Sequence, residues 1–336
     1  MEKQSVTIYT VAREANVSMA TVSRVVNGNQ NVKPETRDRV LAVIKKLNYR
    51  PNAVARGLAS KKTTTIGVVI PDITNDYFAE LALGIDDIAT MYKYNMILTN
   101  SDADGSSAIK VVQNLFAKQV DGVIFMGHDI ENELQEEFNK AAVPVVVAGS
   151  LTNDKNIPSV RIDYEQATKE AVSFLLKHNN KKVALLIGSR QTTINKFNRI
   201  PGYKAALNDA HVQFDNSLIF EADDSYETGY KLAKKMVEQG VTAAFVSDDS
   251  SAAGLLNGLT DAHVNVPKDF EIITGNDTKL ATITRPTLTS ITQPLYDVGA
   301  VAMRLLTKLM SNDDDDETET HPIILQHGFE ERQSTR

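Results

Sequence analysis

The sequence predicts an α/β protein: a two-lobed core of mainly parallel sheets, preceded by an all-α headpiece and a hinge helix. Three observations predict it. From residue 65 onward, short apolar runs alternate with amphipathic helical stretches, the pattern of strands covered on both faces. About seven such units exceed one sheet and imply two similar lobes. Residues 1–62 read as helices only and hold 12 Lys/Arg against 4 Asp/Glu, a charge of +8 set against −15 for the rest of a chain totalling −7. A basic head on an acidic body is the electrostatic footprint of a nucleic-acid-binding module joined to something else.

In the head, Thr7 suits an N-cap, and Ile8, Val11, Ala12 and Ala15 form the apolar stripe of a first helix. Asn16 suits the turn. Ser18 caps a second helix with Val22, Val25 and Val26 inward, and Asn27-Gly28 stops it through a left-handed C-cap. A third helix starts at Pro34 and turns Val40, Val43, Ile44 and Leu47 inward, with Tyr49 closing the core. Two short helices around a tight turn place the N-terminal residues of the second against base edges in the DNA major groove. Here these are Ser18, Met19, Ala20 and Thr21, with Arg24 one turn on. Arg24 offers a bidentate fork to guanine; Ala20 and the Thr21 methyl suit a thymine methyl.

Pro51 ends the preceding helix, and Asn52 to Leu58 suffice for a two-turn helix too short to stand alone. Read plainly, the segment is a linker. Read as a hinge helix that orders on DNA, it carries Arg56, Leu58 and Ala59 to the duplex, with Leu58 as a minor-groove wedge.

In the body, strands are expected at 66–70, 96–99, 122–126, 145–148, 183–187, 243–246 and 272–274. Helices are expected near 77–92, 106–118, 131–140, 164–178, 201–210, 225–239 and 250–262, with a switch between lobes near 160–164. A final helix (295–310) and a strand near 323–326 return to the first lobe, and the acidic run from Asp313 to Glu317 reads as a solvated loop. Ligands in such sheets bind beyond the carboxyl ends of the strands. Polar residues fall there: Asp72, Asn75, Arg161, Asp163, Arg190, Asp248, Asp249 and Asp277, with Arg199 beginning the next helix. Of these, Asp72, Arg161, Arg199 and Asp277 are the candidate effector ligands, because arginines and carboxylates around a cleft suit a sugar or sugar phosphate.

The final helix has an inward stripe of Leu295, Val298, Ala302, Leu305 and Leu309. A second face carries Tyr296, Asp297, Ala300, Val301, Arg304 and Lys308. Arg304 and Lys308 are four apart and therefore neighbours, and two cations beside small apolar residues suit a docked phosphoserine.

Several function classes are disfavoured. The chain has no Cys, hence no disulfide, thiolate nucleophile or Cys-based zinc site. Its six His show no His-Glu-x-x-His spacing, and neither a phosphate-binding Gly-Lys-Ser/Thr loop nor a Gly-x-Ser-x-Gly elbow is present. A regulator rather than an enzyme is expected, with no metal. Without a long apolar run or an apolar leader, a cytoplasmic location is expected.

Residues 17–29, the segment Arg50-Pro51-Asn52-Ala53-Val54-Ala55-Arg56-Gly57-Leu58, the run Ile66 to Pro71, Gly202 to Leu207, and the segments 285–290 and 293–308 together resemble the lactose/galactose repressor family over nearly the whole chain. The resemblance implies a headpiece, a hinge and a core like a periplasmic sugar-binding protein, acting as a homodimer on pseudo-palindromic double-stranded operators. On that basis the expected divisions are 1–50 headpiece, 51–63 hinge, 64–162 plus 293–326 first lobe, and 163–292 plus 327–336 second lobe. The branch of the family it most resembles governs carbon catabolite repression and activation. That branch is corepressed by the phosphocarrier HPr phosphorylated on serine, which implies Tyr296, Asp297, Val301, Arg304 and Lys308 as its docking residues. It needs no cofactor and is assisted by glycolytic sugar phosphates such as fructose 1,6-bisphosphate or glucose 6-phosphate. The alternative is a sugar-induced repressor of the same family without a protein corepressor. Gly275-Asn276-Asp277 lacks the family's usual aromatic before the aspartate, and Asp248-Asp249 stands where an Asn-Asp pair is usual. Both departures fall in the effector cleft and favour reliance on a phosphoprotein.

Overall fold

The computed structural model describes residues 6–50, 62–102, 106–127, 129–130, 132–141, 143–152, 154, 156–311 and 321–336. Two compact units emerge, residues 1–63 and 64–336.

In the first unit, α1 (Ile8–Ala15), α2 (Met19–Val26) and α3 (Pro34–Lys46) form a three-helix core. Thr7 caps α1 in a reciprocal box with Thr10, and Asn16 takes the left-handed conformation (φ 51°) that turns the chain sharply into α2. Ser18 Oγ accepts from the Thr21 amide at 3.2 Å and caps α2. Gly28, at φ +72°, ends it as its sequence predicts. Val11, Ala12, Ala15, Val22, Val25 and Val40 are buried, and Ile8, Val26, Val43, Ile44, Leu47 and Tyr49 pack around them. Arg37 donates to the Asn29 carbonyl at 2.7 Å and closes the turn after α2.

The second unit has the two-lobed α/β architecture. Its strands are β1 (Thr65–Ile70), β2 (Asn95–Asn100), β3 (Gly122–Met126), β4 (Val145–Ala148), β5 (Ser159–Ile162), β6 (Val183–Ile187), β7 (Ile219–Glu221), β8 (Ala243–Val246), β9 (Glu271–Thr274), β10 (Thr289–Thr292), β11 (Ile323–Leu325) and β12 (Gly328–Glu330). They form two six-stranded sheets, β11-β5-β4-β3-β1-β2 and β12-β10-β9-β8-β6-β7. The first is parallel throughout; in the second only β12 runs antiparallel, against β10. Apolar strands such as Val145–Ala148 and Val183–Ile187 are buried along their whole length, because helices cover both faces.

The helices follow as α4 (Asp76–Met91), α5 (Ala108–Ala117), α6 (Asn132–Ala141), α7 (Tyr164–Lys177), α8 (Ile200–Asp209), α9 (Tyr226–Glu238), α10 (Asp249–Asp261), α11 (Lys279–Ile283) and α12 (Leu295–Ser311). In the first lobe α4 and α12 cover one sheet face, and α5 and α6 the other. In the second lobe α7 and α8 lie on one face, and α9 and α10 on the other. The contact between α4 and α12 is backbone to backbone. A Cβ on Gly84 would stand 2.0 Å from the Tyr296 carbonyl oxygen, and one on Gly299 2.0 Å from that of Leu81.

Some expectations need correction. Four short strands, β5, β7, β10 and β12, escape the apolar-run reading, because they are three or four residues long and carry Ser159, Glu221, Thr289, Ser290 or Glu330. Thr289 and Ser290 are buried all the same: the Thr289 amide donates to Ser334 Oγ at 2.8 Å and its hydroxyl meets that of Thr335 at 2.8 Å, while the Ser290 hydroxyl donates to the Thr274 and Ile291 carbonyls at 3.3 and 2.9 Å. Arg199 does not start a helix but ends a π turn, Asn195–Arg199, that runs into α8. Ala300 is not on the outer face of α12; it is buried against α4. The hinge residues Arg56, Leu58 and Ala59, and the acidic run 313–317, lie outside the described residues.

Candidate functional site

Three surfaces carry the candidate residues. On the headpiece, Ser18, Met19, Ala20 and Arg24 are exposed and Thr21 is half-buried. Ser18 both caps α2 and meets the Thr21 hydroxyl at 2.9 Å, so the helix N-terminus is fixed where it would face an anion. Val22 and Val25 bury the opposite side. The first turns of α2 therefore present an outward strip of Ser18, Met19, Ala20 and Thr21, with the Arg24 guanidinium further along the helix.

In the second unit, Arg161 and Arg199 share Tyr164 as a neighbour, while Asp72 and Asp277 are held separately in the loops after β1 and β9. Asp72 accepts from the Thr74 amide and hydroxyl, both at 2.8 Å, which shapes the turn after β1. Arg161 donates to the Ile162 carbonyl at 2.9 Å, and its buried Nε has no hydrogen-bond partner. Burial lowers the Arg161 pKa. Arg199 donates to Asn195 Oδ1 at 3.0 Å and lies over the Tyr164 ring, 5.3 Å from its centroid. Tyr164, from the second lobe, and Tyr77, from the first, both donate to the Gly149 carbonyl, at 2.7 and 3.0 Å. Burial pushes both phenols up; the hydrogen bond with Tyr77, and after it the positive charges of Arg199 and Arg161, pull Tyr164 back. Arg161 and Arg199 thus converge electrostatically on one buried tyrosine.

Carboxylates gather on the second lobe. Asp248 caps α10 through the Ser251 amide at 3.0 Å and accepts from Asn75 Nδ2 of the first lobe at 3.4 Å. A second bridge joins the lobes where the Thr193 amide donates to Asp129 Oδ2 at 2.8 Å. Burial, followed by the charge of Asp224, pushes the Asp248 carboxyl up to about 7. Asp249 is buried and also raised by burial, yet it accepts from the Thr278 amide at 2.6 Å and the Thr278 hydroxyl at 2.7 Å, and so anchors the loop that carries Asp277. Asp277 Oδ1 is paired with Arg332 at 2.6 Å.

The third surface is α12. Tyr296, Asp297, Arg304 and Lys308 are exposed, and Val301 is half-buried between them and the core. Tyr296 donates to Asp87 Oδ2 of α4 at 2.9 Å. That hydrogen bond, more than burial, raises the Tyr296 phenol.

Comparison with known proteins gives this geometry its context. Residues 7–52 match the family of bacterial regulatory proteins of the LacI type, and residues 63–329 match the periplasmic binding proteins and sugar-binding domain of the LacI family. The chain belongs to the LacI family. It is 55% identical over 332 residues to catabolite control protein A of Streptococcus mutans, covering 99% of this chain and 98% of that one. The crystal structure of the transcription regulator CcpA of Lactococcus lactis superposes with a TM-score of 0.76 at 45% identity, over 81% of this chain and 99% of that one. The lac repressor dimer bound to operator and an anti-inducer superposes at 0.85 and 26% identity, over 99% of each chain.

These relatives are transcription regulators, and they mark this LacI-family chain as a DNA-binding regulator of the carbon catabolite type. Regulators of this family bind operator DNA and act as dimers. Among the described residues no helix is long and apolar enough to cross a membrane, and no cluster of side chains suits a metal ion.

Two polar residues suggested by their place after strands serve the framework instead. Arg190 ties the edge strand β7, pairing with Glu221 at 2.9 Å and donating to Asn216 Oδ1 at 2.9 Å and to the Ile219 carbonyl. Asp163 caps α7 through the Gln166 amide at 3.0 Å. Residues that sequence reasoning passed over are Tyr77, Tyr164, Gly149, Asp224 and Arg332. None sits in a motif whose spacing announces it; their roles arise from contacts between segments distant in sequence.

Proposed function

We propose that this LacI-family regulator acts as a homodimer on pseudo-palindromic catabolite-responsive operators, with serine-phosphorylated HPr as its corepressor and a glycolytic sugar phosphate as modulator. Ser18, Met19, Ala20, Thr21 and Arg24 read the major groove, and Arg56, Leu58 and Ala59 engage the minor groove. Tyr296, Asp297, Val301, Arg304 and Lys308 receive the carrier. Asp72, Arg161, Arg199 and Asp277 hold the sugar phosphate, with the phosphate on the arginines and the hydroxyls on the carboxylates.

The observation that carries this reading is the pair of exposed cations, Arg304 and Lys308, one turn apart on α12 beside half-buried Val301. A phosphoserine needs charge-assisted donors next to a surface that admits the rest of its protein. The mechanism is linkage: the carrier binds the DNA-competent arrangement more tightly and so raises its population.

Calorimetry of the full chain with phosphorylated and unphosphorylated HPr tests it. Heat with the phosphorylated form alone supports the proposal; equal heats, or none, refute it. The alternative, a free-sugar-induced repressor, draws on the polar cleft and predicts heat with an unphosphorylated sugar and none with HPr.

A further inference from the structure

Arg332 lies in the segment after β12, far in sequence from every other residue of the cleft. Its Nη1 donates to Asp277 Oδ1 at 2.6 Å and to the Leu288 carbonyl at 2.8 Å, and its own amide donates to Thr289 Oγ1 at 2.9 Å. Both side chains of the pair are mostly covered, at 17% and 18% exposure, so their attraction is only weakly screened. The backbone of this segment is fixed independently, because the Ile272 amide donates to the Ser334 carbonyl at 3.0 Å and Ser334 Oγ to the Ile272 carbonyl at 2.6 Å. The guanidinium is therefore held by framework on one side and presses on Asp277 from the other.

Asp277 itself sits at φ 60° in the loop after β9. That loop is anchored through its neighbours, since the Asn276 and Thr278 amides both donate to the Asp249 carboxylate, at 3.3 and 2.6 Å. Among the described residues no hydrogen bond reaches Asp277 Oδ2. Across the cleft, Glu80 of α4 is close enough to feel the charges of Asp76, Asp249 and Asp277. Arg332 is the cation set directly against this group of carboxylates. It fixes the orientation of a carboxylate whose second oxygen accepts no hydrogen bond among the described residues.

We infer that Arg332 is a positioning residue for effector recognition: by occupying Oδ1 of Asp277 it aims Oδ2 at a hydroxyl of the bound sugar phosphate. This rests on the reading of the cleft as an effector site. The final segment of the chain is then part of the recognition apparatus as well as an edge of the second sheet. Arg332 touches no ligand; it acts through Asp277 alone.

The test is a double-mutant cycle read by calorimetry with glucose 6-phosphate on the full-length wild type, Arg332→Met, Asp277→Asn and the double variant. Each single variant is expected to weaken binding about tenfold, the scale of one charge-assisted hydrogen bond, and the double no further than either single. Arg332→Lys, which keeps a cation but loses the planar fork, recovers part of the loss, and it takes the place of Arg332→Met in the cycle should the latter fail to fold. A double variant weakened by the product of the two single effects overturns the inference and leaves the cleft reading standing. Absence of glucose 6-phosphate binding in the wild type overturns the cleft reading, and this inference with it.

Discussion

The Tyr296 hydroxyl donates to Asp87 Oδ2 at 2.9 Å, so the first turn of α12 is fastened to α4 at the edge of the proposed docking ridge. The phenol is 42% exposed and cannot swing away without breaking that bond. Tyr296→Phe is expected to weaken the binding of phosphorylated HPr by about 1 kcal/mol while changing thermal stability little. Reversing both charges, Arg304→Glu with Lys308→Glu, removes two charge-assisted donors and is expected to cost at least about 3 kcal/mol. Calorimetry checks both; an unchanged affinity in the charge-reversed variant places the carrier elsewhere.

The backbone contact between α4 and α12 makes a prediction about stability. Gly84→Ala or Gly299→Ala sets a methyl 2.0 Å from a carbonyl oxygen of the opposite helix, and no flexible side chain can yield. Each variant is expected to lose about 3 kcal/mol, the upper end for an overpacked core. A melting temperature equal to wild type in a thermal scan would show that the helices separate freely.

For the headpiece, Arg24→Ala is expected to relax base preference at one position per half-site and cost about 1–3 kcal/mol there. Binding to a set of single-base operator variants measures this. A uniform loss across sequences makes Arg24 a phosphate contact instead. Leu58→Ala is expected to weaken specific binding and spare unspecific binding, because a wedge acts only on kinked duplex.

The cleft carries a pH signature. Asp248 is raised to about 7, by burial first and Asp224 second, whereas in the unfolded chain an aspartate ionises near pH 3.9. Below that value both states are protonated and the shift has no effect on stability. Between the two values the unfolded chain ionises first and stability falls; above about pH 7 the loss is complete. Asp248→Asn removes it. The variant's gain in melting temperature over wild type is therefore expected to be larger at about pH 8 than at about pH 5. An equal difference at both contradicts the assignment.

How much of this was legible in the sequence depends on the range of the interaction. Thr7, Ser18 and Gly28 act within one turn of their own positions, and capping chemistry alone foretold the helices they bound. The alternation of apolar runs with amphipathic helices gave the two lobes, since burial on both faces leaves a pattern within each strand. β10 stayed hidden because its buried Thr289 and Ser290 are satisfied by the final segment and by β9, and β12 because its three residues are not buried, relations no local pattern records. Arg190, one of the polar residues that follow strands, ties an edge strand. Arg332 stands in no motif and meets Asp277. The type of a charged residue says what it can bind, while only the fold says which partner reaches it first.

The central claim is that phosphate on a second protein, read by α12, controls operator affinity. Titration of full-length protein onto a labelled operator, with serine-phosphorylated HPr, with unphosphorylated HPr and with neither, tests it most directly. The account predicts tighter binding with the phosphorylated carrier alone, and no such gain for the Arg304→Glu, Lys308→Glu variant. Identical operator affinity under all three conditions would contradict it.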